Sequence, residues 1–546
     1  MPVLNFQDKV VYQIYPRSFC DSNGDGIGDL NGITSKLDYL ASLGVDYLWL
    51  TPFFRSPQRD NGYDVADYCS VDPVFGTMED AERLLREADQ RGIGLMLDMV
   101  FNHTSTQHVW FQRALAGDKT YQDYYLFRDG APDAPPTNWQ SKFGGSAWEY
   151  VPKLKKWYLH LFDVTQADLN WENPAVREEL KQVIRFWQGK GVKGFRFDVV
   201  NLISKPETMT DDLQGDGRRM YTDGRHVHQF LQELTRDTGM DSMLTVGEMS
   251  STTLEQCIRY SNPDRRELSM VFNFHHLKID YKNGDKWAMQ SPDIGQLRQL
   301  FDVWQTGMQQ GNGWNAVFWC NHDQPRIVSR LGDDRQYWQE SAKMLALCIH
   351  FMRGTPYIYQ GEELGMTNAY FEDIGQYRDV ESLNYHRILT AQGRTEQEVR
   401  TLLQARSRDN SRTPMQWDES PTAGFTDGTP WIPLPQYKPE ANVQAQAQAP
   451  ASILSFYKRL ICLRKEYPLI ARGDIRFLCP DAQDVIAYCR GLDGKKLFVY
   501  CNFSAREKRV PCPGNVHFLI GSYEQPPQMT ADEIVLRPYE GCAMMV

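Results

Sequence analysis

The sequence has no CxxC pair, and its eleven cysteines, an odd number, are scattered from Cys20 to Cys542. That distribution argues against a disulfide framework or a cysteine-based zinc site and favours reduced thiols. The sequence also has no long uncharged apolar run, and Met1 to Val11 lack a basic segment followed by an apolar one. We therefore expect no signal peptide and no membrane span, and we predict a cytoplasmic protein.

Positive charge is not in excess either. The 546 residues carry a formal net charge of −11, which argues against nucleic acid as a partner. Any phosphate on a substrate must then meet a local cluster of basic side chains. With 41% hydrophobic and 24% charged residues, the composition is that of a globular protein with one large domain and smaller accessory domains.

Apolar runs typical of strands alternate with amphipathic helical stretches over most of the chain. Such alternation favours an α/β fold with a parallel sheet, and eight units that close on themselves form a (β/α)8 TIM barrel. The predicted strands are Val10–Tyr15, Tyr47–Leu50, Leu95–Val100, Gly194–Val200, Leu244–Gly247, Ala316–Cys320 and Tyr357–Tyr359, and the predicted helices include Thr77–Arg91, Ala175–Lys190, Val227–Thr238 and Arg335–Met352.

Two segments interrupt this alternation. Residues 103–170, rich in Trp, Tyr, Gly and Pro, are predicted to form a lobe inserted after the third strand. Residues 473–546 contain short β runs and are predicted to form a separate antiparallel β domain, so the catalytic barrel would comprise 1–102 and 171–472. Gln436–Pro450, with its repeated Gln-Ala pairs, is predicted to be a low-complexity surface loop.

One predicted strand ends with an arginine and an aspartate two residues apart. Arg196 and Asp198 lie at positions i and i+2 of the run Gly194–Asn201, so their side chains point to the same face. The guanidinium favours the ionised carboxylate, and an ionised aspartate at a strand end is a candidate nucleophile. Taken alone, a structural ion pair is the simpler interpretation.

Four further segments carry polar side chains at strand ends or in the predicted lobe. They are Asp98–His103, Gln166–Asn170, Val246–Glu248 and Cys320–Asp323. Together with the Arg196–Asp198 strand, and in this order, they resemble the α-amylase family of retaining glycoside hydrolases over essentially the whole chain. The resemblance implies a small sugar substrate and no organic cofactor, and we expect a monomer or weak homo-oligomer.

Hydrolysis with retention requires one ionised and one protonated carboxyl group, about 5–5.5 Å apart. Asp198 suits the ionised role. Glu248 suits the protonated role, because it follows an apolar strand with no basic neighbour in the sequence and burial raises a carboxyl pKa. The family resemblance implies the same roles, with Asp323 as a third catalytic carboxylate and His103 and His322 on sugar hydroxyls.

Two other segments imply a pocket for a single glucosyl unit. Arg55–Asp64 resembles the loop that closes the non-reducing end of the site in exo-acting α-glucosidases, and Asp409–Trp417 resembles the segment whose arginine completes that pocket. The substrate-binding residues implied by the resemblance are Asp60, Tyr63, His103, Phe143, Gln166, Arg196, His322 and Arg412.

The loop Asp21–Asp29 places oxygen-bearing side chains at alternate positions with glycines between them. Such oxygens are the ligands that Ca²⁺ prefers, although Gly32 replaces the glutamate that ends an EF-hand loop, and a solvated turn is the alternative. Related α-glucosidases keep a similar loop. The resemblance therefore implies one structural divalent cation, expected to be Ca²⁺, bound by Asp21, Asn23, Asp25, Asp29 and the carbonyl of Ile27.

The substrate is indicated by two features. A valine after the nucleophile, here Val199, accompanies linkages other than α-1,4 in this family. The segment 272–287 resembles that of the members that hydrolyse trehalose 6-phosphate to glucose and glucose 6-phosphate, which we expect as the reaction. Its Lys278, Lys282 and Lys286 are predicted to bind the phosphate, which an acidic protein must meet with local positive charge, unless they form only a solvated face.

Three alternatives remain at this point. An oligo-1,6-glucosidase acting on isomaltose-type ends would use the same carboxylates, and so would a transferase that passes glucose to a sugar acceptor. From another class, the same fold occurs in non-enzymatic subunits that assist transporters. Those subunits should lack one or more of the carboxylates, whereas Asp198, Glu248 and Asp323 are all present here.

Overall fold

The computed structural model describes residues 6–435 and 440–546. Its central feature is one sheet of eight strands, which are β1 Val11–Ile14, β2 Tyr47–Leu50, β3 Gly94–Met99, β4 Gly194–Phe197, β5 Leu244–Glu248, β6 Met270–Phe272, β7 Ala316–Val317 and β8 Thr355–Tyr359. Their order in the sheet is β6-β5-β4-β3-β2-β1-β8-β7, and β8 pairs in parallel with β1. Strands that follow one another in the sequence are therefore neighbours, which is the order of a (β/α)8 barrel and confirms the predicted fold class.

Helices follow the strands of the sheet along the chain. The helix Pro174–Gly189 illustrates why they form: Asn173 caps it by accepting from the N–H of Ala175, proline occupies its first turn, and Val176, Leu180, Ile184 and Trp187 recur on one buried face. The longer helices are Leu37–Leu43, Met78–Gln90, Val109–Leu115, Pro174–Gly189, Val227–Thr238, Leu254–Ser261, Ile294–Gln310, Trp338–His350, Val380–Ala391, Glu396–Arg406 and Ile453–Glu466. Shorter ones are Leu30–Ser35, Lys119–Gln122, Arg218–Tyr221, Ile327–Arg330, Asp409–Arg412, Val443–Ala447 and Pro468–Arg472.

The region between β3 and the helix Pro174–Gly189 contains small antiparallel sheets. Phe127–Asp129, Lys156–Leu159 and Trp148–Val151 form a three-stranded sheet, and Gln166–Asp168 pairs with His103–Ser105 so that Asp168 lies opposite His103. Another antiparallel pair, Phe54–Arg55 with Asp67–Val71, comes before β3 in the sequence. The buried aromatic core of the region between β3 and the helix Pro174–Gly189 includes Trp139, Trp148 and Trp157, and Tyr221 from beyond that helix packs with them.

The C-terminal part of the chain is antiparallel β structure, as predicted. A five-stranded sheet has the order Asp474–Leu478, Val485–Leu492, Lys495–Asn502, Gly541–Met545 and His517–Gly521, and a three-stranded sheet has the order Lys508–Pro511, Glu533–Leu536 and Gln528–Met529. Alternate apolar side chains from both sheets form one core, which includes Val485, Tyr500, Ile534 and Met544.

Contacts along the chain divide it into two compact units. Within the described residues, the first contains 49–90 and 94–273, and the second contains 6–48, 91–93, 274–435 and 440–546. The three-part division predicted from the sequence stays a prediction. Within the described residues, no helix has the length and apolarity that a membrane span requires.

One local prediction is wrong in part. The segment 436–450 was expected to be a loop throughout. Its residues 436–439 lie outside the described residues, but Val443–Ala447 form a short helix whose N-cap, Asn442, accepts from the N–H of Ala445. The alanines between the glutamines favour a helix once such a cap is present.

Candidate active site

In the first unit, one buried arginine contacts three carboxyl groups. Arg196 Nη1 lies 2.6 Å from Asp98 Oδ1 and 2.7 Å from Asp198 Oδ1, and Nη2 contacts the carboxylate of Glu248. The strand register causes this arrangement: Arg196 lies opposite Asp98 of β3 and Val246 of β5, and Glu248 lies two residues beyond Val246 on the same face. Asp198 and Glu248 are therefore neighbours on one guanidinium.

The charge of this cluster bears on where a proton resides. Three ionised carboxylates around one guanidinium carry a net charge of −2, which a buried site disfavours. Burial, with the charge of Asp198 adding to it and Arg196 opposing it, raises the pKa of Asp98 to about 7. Asp98 therefore keeps its proton to a higher pH than an ordinary aspartate does. Glu248 was expected to have no basic neighbour, because none is adjacent in the sequence. In the structure, Arg196 of the adjacent strand β4 contacts its carboxylate.

His103 and Gln166 form one wall beside this cluster. Gln166 Nε2 lies 3.1 Å from Asp60 Oδ2 and 3.3 Å from His103 Nε2, and His103 Nε2 lies 3.1 Å from the carbonyl of Tyr63. The Tyr63 hydroxyl donates to Asp98 Oδ2 at 2.9 Å. Burial lowers the pKa of His103, which keeps the ring neutral and suited to hydrogen bonding with a sugar.

Aromatic side chains continue this wall. The ring of Phe162 lies 5.1 Å from that of His103 and 5.8 Å from that of Phe143. The structure thus brings together Asp60, Tyr63, His103, Phe143 and Gln166, which were selected from four separate parts of the sequence.

Lys142 is a residue of this site that the sequence analysis missed. Its Nζ donates to Ser250 Oγ at 2.9 Å and lies 5.9 Å from the ring of Phe162. It therefore connects the His103 wall with the residue two places beyond Glu248. The signal available in the sequence was its position directly before Phe143.

A second missed residue lies behind His103. Lys205 is buried, and its Nζ lies 2.7 Å from Asp168 Oδ2 and 2.6 Å from Asn102 Oδ1. Asn102 Nδ2 in turn lies 3.2 Å from His103 Nδ1. A buried ammonium group thus holds Asn102, the residue directly before the strand that begins at His103.

In the second unit, Asp323 lies beside two arginines and a histidine. Arg412 Nη2 lies 2.6 Å and Arg408 Nη1 3.3 Å from Asp323 Oδ1, and His322 Nε2 lies 3.4 Å from Oδ2. Burial alone would raise the pKa of Asp323, but His322, Arg408 and Arg412 together hold it well below its ordinary value. Asp323 is therefore held in its ionised form, which can only accept hydrogen bonds. Arg408 was not predicted, although it lies next to the segment that was.

His322 is oriented by its own neighbours within this unit. Its Nδ1 lies 2.9 Å from Gln13 Nε2, and its ring is stacked with that of Tyr15 at 6.1 Å. The buried Arg412 lies over the same tyrosine ring and donates from Nε to the carbonyl of His322 at 2.9 Å. The three sugar-site residues predicted in this unit, His322, Asp323 and Arg412, thus form one connected cluster.

Comparison with known proteins identifies the family. Residues 13–473 match the family described as "Alpha amylase, catalytic domain". This chain belongs to the α-amylase family. It is 52% identical to "Trehalose-6-phosphate hydrolase" of Bacillus subtilis over 97% of this chain and 96% of that protein, and 47% identical to "Oligo-1,6-glucosidase" of Parageobacillus thermoglucosidasius over 98% of both. The crystal structure of the Bacillus licheniformis trehalose-6-phosphate hydrolase superposes with a TM-score of 0.95 at 52% identity, over 99% of both chains.

The three lysines predicted to bind phosphate differ in their surroundings. Lys278 and Lys282 are exposed. Lys286 is less exposed, and its Nζ lies 2.6 Å from Glu381 Oε2, so part of its charge is already neutralised within the second unit. Lys282 precedes a turn in which Asn283 has φ of 55° and Gly284 has φ of 79°.

The loop Asp21–Asp29, predicted to bind calcium, carries the oxygen donors that Ca²⁺ prefers. Several of these oxygens accept hydrogen bonds from backbone N–H groups of the same loop. Asp21 Oδ1 accepts from the N–H groups of Asn23 and Gly24 at 2.9 Å each, and Asp25 Oδ1 accepts from Ile27 N at 2.8 Å. Asp29 caps the helix Leu30–Ser35. Across residues 6–435 and 440–546, no group of three or more acidic, histidine or cysteine side chains converges as a metal site requires.

Proposed function

We propose that this protein is a retaining, exo-acting α-glucoside hydrolase that converts trehalose 6-phosphate and water to glucose and glucose 6-phosphate. The observation that carries the proposal is the shared contact of Asp198 and Glu248 with the buried Arg196, at the ends of adjacent parallel strands. The similarity to trehalose-6-phosphate hydrolases along nearly the whole chain supports the choice of substrate.

In the first step, Asp198 attacks the anomeric carbon of the unphosphorylated glucose, and a carboxyl–sugar bond forms as the bond to the bridging oxygen breaks. Glu248 gives its proton to that oxygen, and glucose 6-phosphate leaves. In the second step, Glu248 accepts a proton from water, which attacks the same carbon and releases glucose and the Asp198 carboxylate. The first step requires the acid form of Glu248, which the negative charge of the two other carboxyl groups on the same guanidinium favours.

The remaining residues hold the sugar. We assign hydroxyl binding to two sets, the first formed by Asp60, Tyr63, His103, Phe143 and Gln166 and the second by His322, Asp323 and Arg412. Asp323 is kept ionised by its cations and can accept from two adjacent hydroxyl groups. No organic cofactor is needed for this chemistry, because the two carboxyl groups supply both the nucleophile and the acid.

Recognition of the phosphate is assigned to lysines. Lys278, Lys282 and Lys286 are retained as candidates from the sequence, and Lys142 is added because it lies between the His103 wall and the residue two places beyond Glu248. The acid/base residue faces the leaving group, so a cation near its loop is suited to a charged leaving sugar. Lys286 is the weakest of the four candidates, since Glu381 already pairs with it.

Three further assignments complete the proposal. The donor set Asp21, Asn23, Asp25, Asp29 and the Ile27 carbonyl is assigned to one structural Ca²⁺. We also propose that the protein works in the cytoplasm, where its eleven cysteines, none joined in a disulfide, stay reduced. A monomer or weak homo-oligomer is the proposed assembly.

The test is a substrate panel with two variants. Purified protein should hydrolyse trehalose 6-phosphate far better than trehalose or isomaltose, and Glu248→Gln and Asp198→Asn should each lose nearly all of this turnover. A higher kcat/KM on isomaltose would instead establish the alternative, an oligo-1,6-glucosidase, which the 47% identity to such an enzyme favours. Glucosyl transfer without free glucose would contradict hydrolysis.

A further inference from the structure

The loop that follows Glu248 is held by side chains to which the proposed reaction assigns no role. Strand β5 ends at Glu248, and Met249–Thr252 lead to the helix Leu254–Ser261, which Thr253 caps. Ser251 has φ of 57°, in the left-handed region that residues other than glycine seldom adopt. Such a conformation persists only where surrounding contacts hold it.

The carboxamide of Asn201 binds both backbone polar groups of Ser250. Its Nδ2 donates to the Ser250 carbonyl at 2.9 Å, and its Oδ1 accepts from the Ser250 N–H at 2.9 Å. Asn201 is fully buried and lies three residues after Asp198. Two opposed hydrogen bonds fix both the position and the orientation of this peptide relative to the end of β4.

Asp223 fixes the Asn201 amide and the loop together. Its Oδ1 accepts from Asn201 Nδ2 at 3.1 Å and from the Tyr260 hydroxyl at 2.8 Å, and its Oδ2 accepts from Thr252 Oγ1 at 2.9 Å. The Asp223 N–H also donates to the carbonyl of Asn201 at 2.9 Å. The Asn201 amide therefore cannot rotate without losing hydrogen bonds on both sides, and such a network is stiffer than its separate bonds.

We propose that Asn201, supported by Asp223, is a positioning residue for the acid/base Glu248. It holds Ser250, two residues beyond Glu248, in a fixed place relative to Asp198, and so sets where the Glu248 carboxyl meets the leaving oxygen. The inference rests on the role proposed above for Glu248. Asn201 acts through the loop backbone, and its expected effect is therefore on the precision of proton transfer.

Two substrates whose leaving groups differ in basicity can distinguish a positioning role of Asn201 from a merely structural one. The leaving hydroxyl of glucose 6-phosphate requires a proton as the glycosidic bond breaks, whereas 2,4-dinitrophenolate departs without one. Loss of the correct position of Glu248 should therefore lower kcat/KM for trehalose 6-phosphate much more than for 2,4-dinitrophenyl α-D-glucoside. A general loosening of the fold would lower both values alike.

The experiment measures kcat/KM on both substrates for the wild type, Asn201→Ala and Thr252→Val. We expect Asn201→Ala to lower the value for trehalose 6-phosphate by about a hundredfold, as for a misplacement of roughly 1 Å, and to change the aryl glucoside value by less than about fivefold. Thr252→Val removes one hydroxyl of the network and should shift the ratio of the two values in the same direction by roughly threefold to tenfold.

Asn502→Ala is the matched control. Asn502 is also fully buried, and its Nδ2 also donates to two acceptors, the carbonyls of Arg506 and Arg537, but it belongs to the C-terminal β structure. It should lower the melting temperature without changing the ratio of the two kcat/KM values. An equal loss on both substrates in Asn201→Ala, or an unchanged ratio in Thr252→Val, would overturn the proposal, and Thr252→Val alone decides if Asn201→Ala does not fold.

Glu248→Gln keeps this test separate from the proposed function. If Glu248→Gln retains turnover of trehalose 6-phosphate, the acid/base role is wrong and the positioning role is overturned with it. If Glu248→Gln shows the leaving-group-dependent loss and Asn201→Ala does not, only the role of Asn201 is overturned.

Discussion

The ammonium group of Lys205 lies 2.7 Å from the carboxylate of Asp168, and both side chains are buried. Asp168 also accepts from the N–H of Leu161 at 2.9 Å and from Asn102 Nδ2 at 3.1 Å. Burial lowers the pKa of Lys205, while Asp168 opposes that shift. This pair therefore joins Lys205 to the strand Gln166–Asp168, which pairs with the strand that begins at His103.

Replacing Lys205 by methionine should destabilise the protein strongly. The change leaves the Asp168 carboxylate buried without its cation, which costs about 3–5 kcal/mol. We expect a clear fall in melting temperature, together with a fall in kcat/KM, because Asn102 would no longer hold His103 in place. Thermal unfolding and steady-state kinetics measure the two effects.

The control for this prediction is Lys190→Met. Lys190 pairs with Glu82 at the surface, where both side chains are about one third exposed, and such pairs are worth about 0–1 kcal/mol. If Lys205→Met were no less stable than Lys190→Met, the buried pair would have no special importance for the fold.

Local patterns predicted most of the sheet. Tyr47–Leu50 was predicted with its observed bounds, and so was the helix Val227–Thr238, whose apolar spacing ends at Gly239 in the left-handed conformation. The strand Met270–Phe272 was missed, because three residues carry no periodicity. It forms because Val246 and Glu248 of β5 pair with it, and such a tertiary contact is invisible in the sequence.

The candidate site also depends on tertiary contacts that cannot be predicted from the sequence. Arg196 and Asp198 were linked correctly because Asp198 directly follows the strand that carries Arg196, whereas the contacts of Arg196 with Asp98 and Glu248 depend on the register of three strands. Lys142 and Lys205 resemble ordinary surface lysines in the sequence. Only folding shows that one lies 2.9 Å from Ser250 and the other is buried beside Asp168.

Replacing Lys142 by methionine should reduce the preference for a phosphorylated substrate. We expect the ratio of kcat/KM for trehalose 6-phosphate to that for trehalose to fall roughly tenfold, which corresponds to about 1.4 kcal/mol of lost charge interaction. The reduction should be greatest at low salt, since salt screens partly exposed charges. An unchanged ratio would exclude Lys142 from phosphate recognition. Lys153→Met, at an exposed lysine of the same region, serves as the control.

Removing calcium should lower the melting temperature if the loop Asp21–Asp29 binds it. A ligand at a hundred times its Kd stabilises the folded state by about 2.7 kcal/mol, so chelated protein should regain its melting temperature when Ca²⁺ is added. Asp21→Asn should abolish this response, and Asp481→Asn, at an exposed position, should retain it. If the melting temperature of the wild type changes neither with chelator nor with added Ca²⁺, the metal proposal is wrong.

The buried Glu362 should make stability depend on pH. Burial raises its pKa to about 7, the charge of Glu363 adds to this shift, and the hydrogen bond from the Tyr457 hydroxyl, at 2.9 Å, opposes it. Between pH 4.5 and 7 the folded protein then holds a proton that the unfolded chain has released. Stability must fall as pH rises through this window, by about 3 kcal/mol in total.

Glu362→Gln tests this directly, because glutamine resembles the protonated acid at every pH. The melting temperatures of the variant and the wild type should be close at pH 5, and the variant should melt at the higher temperature at pH 8, since only the wild type then buries an ionised carboxylate there. Glu419→Gln, at an exposed glutamate, should follow the wild type at both pH values. A difference between Glu362→Gln and the wild type that does not change with pH would show that Glu362 keeps one protonation state throughout.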